Sequence, residues 1–130
     1  MAKMPIGVFT SAGAGLGASI ERVQELGVGT VQLHAPPKER RTEPEAAEIR
    51  EKFREAGIEI TLVFCGFAGE SYSSIQAVKE TVGLLPPTAR EERVAQTKQI
   101  ARFANLLGAP GIGIHIGFIP EEPDDPEYST

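Results

Sequence analysis

Four short runs of β-branched and aromatic residues, spaced by longer amphipathic stretches that close on glycine, constrain this chain more than any other feature in it. The runs cover 6–10, 30–34, 58–64 and 112–116. Each is nearly continuous in hydrophobicity, which suits a strand covered on both faces rather than one with a wet side. Between them the apolar period changes to that of a helix. Residues 17–26 place Ile20, Val23 and Leu26 at three-residue steps, with Gly27 as a stop. Thr42 caps a second helix, Pro44 fits its first turn, and Glu45 lies three residues after the cap. Ala46, Ile49, Phe53 and Ala56 mark its buried face, and Gly57 ends it. A third helix is expected over 88–107, with a stripe of Val94, Thr97, Ile100, Ala101, Ala104 and Leu107 closed by Gly108.

Strand and helix therefore alternate, and each helix gives way to a strand within a few residues. Short connections of this kind belong to parallel βαβ units. The loops that follow the strands are longer, and in parallel α/β proteins those loops carry the chemistry. The one over 65–87 is the longest and is expected to hold a short helix near 75–81. At the C-terminus Asp125 and Pro126 have the chemistry of a helix start, four residues before the end at Thr130. The expectation is an α/β chain forming the first half of a (β/α)8 (TIM) barrel: four parallel strands, three main helices, truncated near the start of a fourth. Residues 1–130 make one incomplete barrel domain on this reading.

Composition removes several functions. The formal charge of −5 argues against a nucleic-acid surface, which shows a basic stripe. The short basic run at Lys38, Arg40 and Arg41 is interrupted by Glu39 and reads as a solvated loop. No apolar run approaches a membrane-spanning length, and the first five residues carry no signal-peptide core. The single cysteine, Cys65, fits a reducing compartment, so the expectation is a cytoplasmic protein without membrane or nucleic-acid partners.

The two histidines, His34 and His115, are expected at the ends of the second and fourth strands, where barrel active sites gather. Two at equivalent positions favour a role in binding substrate over two isolated structural residues. They do not make a metal site, which needs three or four ligands, so no metal is assigned to this chain. Glu70 is a weaker candidate for a polar group in the same site. Cys65 reads as a buried inert thiol, and Arg90, near the start of the third helix, as a tie for the long loop. The segment 13–18 fits G-x-G-x-x-A between a strand and a helix and invites a dinucleotide reading. That fingerprint also asks for a carboxylate after the second strand, where this chain has His34-Ala35-Pro36.

Four stretches carry a family resemblance. Val31-Gln32-Leu33-His34 resembles the second strand of the sugar phosphate isomerase/epimerase family, the xylose isomerase-like TIM barrels. The runs 63–72 and 83–93 are similar to its third strand, the following loop and the next helix. Ile114-His115-Ile116-Gly117-Phe118-Ile119-Pro120 resembles its fourth strand and the loop beyond. The resemblance implies a barrel of about twice this length, in keeping with the usual barrel size. It implies small-molecule sugars or sugar phosphates as substrates. It also implies a divalent metal (Mn, Mg, Zn or Co) held by carboxylates and histidine from later strands, with acid–base carboxylates beside it. None of those ligand positions matches this chain, so substrate binding carries over to His34, His115 and, more weakly, Glu70. Related endonuclease-type barrels use histidines at strands three and four as zinc ligands. His115 matches the second of these, and Cys65 departs from the first.

Three functions follow for test. The chain is the N-terminal portion of a metal-dependent sugar isomerase/epimerase, inactive alone. Alternatively it is a self-assembling half-barrel, a homo-oligomer formed through its open sheet edges, without catalysis. The third is a nucleotide-binding doubly wound domain using the 13–18 loop.

Overall fold

The computed structural model describes residues 4–12, 17–122 and 124–125. The elements run β1 (Gly7–Ser11), α1 (Ile20–Glu25), β2 (Thr30–His34), a 3-10 turn (Lys38–Arg40), α2 (Glu43–Glu55), β3 (Glu59–Cys65), α3 (Ile75–Thr81), α4 (Pro87–Leu107) and β4 (Ile112–Ile114). The chain divides into two compact units, Met1–Cys65 with Lys98–Gly113, and Gly66–Thr97 with Ile114–Thr130.

The four strands form one parallel sheet in the order β1-β2-β3-β4. This sequential order argues against the nucleotide-binding alternative. A doubly wound sheet reverses direction about its first strand and opens its ligand crevice at that reversal; here β1 is an outer strand and no reversal occurs. Of the 13–18 loop, residues 13–16 lie outside the described residues, as does the expected helix start at Pro126.

Register explains which side chains face which layer. Val31 and Leu33 of β2 lie beside Ile60 and Val63 of β3, although those two are three residues apart. A bulge between Val31 and Gln32 absorbs the extra residue, Thr61, whose hydroxyl donates to the Val31 carbonyl at 2.9 Å. The bulge turns Val63 and Cys65 into the buried layer with Val31 and Leu33. Ala46, Ile49 and Phe53 of α2 and Ile100, Phe103, Ala104 and Leu107 of α4 supply the rest of that core. Shifting the alternation also places Leu62 and Phe64 beside Gln32 and His34.

Helix ends follow their local chemistry. The Thr42 hydroxyl accepts from the Glu45 amide as the N-cap of α2, and Ser19 and Ser74 do the same for α1 and α3. The glycines after α1, α2 and α4 all have positive φ. Several expectations need correction. The first helix begins at Ile20, not 17, because Ser19 is its cap; it is too short to bury Leu26, which is 50% exposed. The buried stripe of α4 includes Arg93 and Phe103, while Ala101 is exposed. The fourth strand stops at Ile114, because the Ile116 carbonyl is taken by the Leu84 and Leu85 amides.

Candidate functional site

In the first unit, His34 closes β2 and is half-buried. Its ring meets that of Phe9 edge-on at 5.9 Å and lies 6.4 Å from Phe64, while Phe9 and Phe64 pack edge-on at 5.3 Å. Three adjacent strands thus set a small aromatic patch around one imidazole. Leu62 flanks it, close enough to Gly113 that a Cβ there would lie 3.1 Å from a Leu62 methyl. The patch offers apolar ring surface and an imidazole nitrogen beside it.

Cys65 and Arg41 belong to the same unit. Cys65 is 1% exposed, and burial pushes its thiol up to about 11 against a smaller pull from the Arg41 charge. At neutral pH it is therefore a protonated, packed thiol, which makes it a poor nucleophile. Arg41 departs from the solvated loop expected of its run. Its Nε donates to the Pro36 carbonyl at 2.9 Å, and its buried Nη1 meets no acceptor among the described residues. Burial holds its guanidinium below the ordinary arginine range. A cleft of about 320 Å³ is lined in part by Ser11, Ser19, Arg40, Glu45, Lys52 and Phe53, without His34. Its cations are already paired, Arg40 with Glu45 and Lys52 with Glu48, so it reads as a groove between helices.

In the second unit, His115 lies one residue past β4 and is exposed. Its Nδ1 is 3.0 Å from the Tyr72 hydroxyl, and the two rings meet edge-on at 6.0 Å. The Tyr72 phenol is held above its ordinary range by burial first and by the Glu70 charge second, with Arg93 opposing. Lys79 sits over the Phe118 ring at 4.3 Å, in the loop after His115.

Glu70 is placed as a brace. One carboxylate oxygen accepts from the Phe67 amide at 3.1 Å and the other from the Gly83 amide at 2.8 Å. Arg93 completes the work from α4. Its Nη1 donates to the carbonyls of Thr81 and Gly83, both at 2.7 Å, and Nη2 to that of Ala68 at 3.4 Å. Arg90 donates to the carbonyls of Leu84 and Leu85, the tie expected of it. Sequence reasoning missed Tyr72 as a site residue. The one signal it left was an aromatic in a Gly-Glu-Ser-Tyr loop directly after a strand.

Residues 20–129 match the profile of the family described as xylose isomerase-like TIM barrel. The chain belongs to that family. Among solved structures, this xylose isomerase-like chain is similar to the crystal structure of a xylose isomerase domain protein from Planctomyces limnophilus, at 51% identity and a TM-score of 0.90. The match covers 96% of this chain and 45% of that one, so the chain spans less than half the length of its solved relative. No curated protein matches it. Enzymes of the xylose isomerase-like family commonly use metals. The residues described here do not fit one: no group of three or more His, Cys, Asp or Glu side chains among them could hold an ion. No helix among them is long and apolar enough to cross a membrane.

Proposed function

We propose that this chain is the N-terminal portion of a cytoplasmic sugar or sugar phosphate isomerase/epimerase, and that it binds substrate without transforming it. One observation carries the reading: 51% identity at a TM-score of 0.90 to a xylose isomerase domain protein, confined to 45% of that protein's length. His34 and His115 would each hydrogen-bond a sugar oxygen, His34 beside an apolar wall of Phe9 and Phe64. Glu70 would act through its loop, by fixing the backbone that bears Tyr72. A divalent metal would supply polarisation of the substrate oxygens; its ligands and the proton-moving carboxylates would come from residues other than those described here.

The experiment is an NMR titration of the 130-residue chain with D-xylose, following the side-chain resonances of both histidines. Saturable shifts at His34 and His115 are expected. Shifts at neither would remove both histidines as binding groups.

A second reading has its own observation. The sheet face bearing Phe9, Leu62 and Phe64 also carries Gln32 and His34, and β1 and β4 are the outer strands of the sheet. Pairing of two copies through those edges would cover that face. Sedimentation should then show a dimer at micromolar concentration, and a well-folded monomer would reject the pairing.

A further inference from the structure

We propose that Gly83 is a hinge latched by two charged side chains: Glu70 holds its amide and Arg93 its carbonyl, and together they make the loops after β3 and β4 move as one body. The latch uses contacts within the second unit alone and does not depend on sugar binding.

Glycine turns about its backbone bonds more freely than any other residue, so a glycine between two elements lets a loop swing unless something holds it. Gly83 lies between α3 and α4 with φ +78°. The Glu70 carboxylate accepts from its N–H at 2.8 Å, and Arg93 Nη1 donates to its carbonyl at 2.7 Å. With both sides of the Cα held, neither torsion can turn without breaking a hydrogen bond to an ionised partner. Such bonds are roughly twice as strong as neutral ones.

The peptide that carries the Gly83 carbonyl also carries the Leu84 amide. That amide donates to the Ile116 carbonyl at 2.6 Å, in the loop after β4. A guanidinium on one side of a peptide polarises it and strengthens the hydrogen bond on the other side. Arg93 therefore acts on the contact between the loops as well as on Gly83. The crossing leaves no room for side chains. A Cβ on Gly83 would lie 2.1 Å from the Ile116 oxygen, and one on Gly117 (φ +119°) 2.6 Å from the Val82 oxygen.

The same two side chains reach back into the loop after β3. The other Glu70 oxygen accepts from the Phe67 amide at 3.1 Å, and Arg93 donates to the carbonyls of Thr81 at 2.7 Å and Ala68 at 3.4 Å. The Ser71 amide donates to the Thr81 hydroxyl at 2.9 Å. Next along the chain, the Tyr72 hydroxyl lies 3.0 Å from His115 Nδ1, and Lys79 of α3 sits over the Phe118 ring at 4.3 Å. Each of these two contacts spans the loops that the latch joins, so releasing Gly83 would loosen both.

The test is amide hydrogen exchange by NMR on the 130-residue chain, comparing the wild type with Glu70→Gln and Arg93→Lys. Each variant should speed exchange about tenfold or more at an amide its own side chain does not touch, Glu70→Gln at Leu84 and Arg93→Lys at Phe67. The cross-peak between the Tyr72 and His115 ring protons should weaken in both, and the double variant should add little to either single one. The Val31 and Leu33 amides of β2 should keep their wild-type rates. Acceleration confined to each side chain's own partners, additive effects in the double variant, or an undiminished ring cross-peak would overturn the latch. So would β2 amides that speed up in step, because the region would then open only with the whole fold.

Discussion

A guanidinium survives in a protein interior when its donors meet acceptors, and Arg93, at 6% exposure, meets the carbonyls of Thr81, Gly83 and Ala68. Its planar head also lies 5.3 Å from the centre of the Phe67 ring. Removing it strands those carbonyls. Arg93→Ala should cost about 3 kcal/mol in urea unfolding, the scale for a broken buried charged network; a cost below about 1 kcal/mol would contradict the bracing role. Cys65 gives a pH signature. Its folded thiol titrates at about 11 against an ordinary value of 9.0, so folding favours the protonated form. The associated stability is complete below pH 9 and is lost as pH rises toward about 11. Cys65→Ala should lower stability at neutral pH through its cavity, yet flatten the decline above pH 9 relative to wild type. Parallel urea midpoints across that window check the sign.

At the scale of elements, the loops after β3 and β4 depend on backbones in contact. Gly117→Ala and Gly83→Ala should each speed hydrogen exchange across 66–83 and 114–118, since a Cβ at either position meets a carbonyl oxygen inside 3 Å. A wild-type exchange pattern would mean the crossing is not rigid. Thr42→Ala, by contrast, removes one cap from α2 and should cost about 1 kcal/mol. The elements themselves were largely legible in the sequence. The bounds of β2 and α3 match the reading, and α2 was marked by its cap, its prolyl first turn and its closing glycine. Periodicity was blind to facing. It put Ala101 in the stripe and left out Arg93, because a charged residue is read as solvated until its acceptors are seen. It extended β4 by two residues, because Ile116 has strand chemistry while its carbonyl serves Leu84. The histidines were legible as strand ends. Tyr72 was not, because its partner His115 lies 43 positions away and no local pattern encodes that contact.

At the scale of the molecule, sequential strand order and family membership agree on a barrel, while the match to a solved relative spans 45% of that relative. The first unit brings an imidazole among aromatic rings, and the second a tyrosine–histidine pair on braced loops. Under the proposed function each would bind one oxygen of a polyol. Neither supplies a cluster of carboxylates, and no group of metal-ligating side chains occurs among the described residues. The central proposal is that this chain binds substrate and that the proton-moving groups would come from residues other than those described. The most direct measurement follows D-xylose in one sample of the 130-residue chain with Mn²⁺ added, reading ketose formation while the histidine resonances report binding. The account predicts saturable binding with ketose no higher than in the protein-free control. Sustained ketose formation would contradict it.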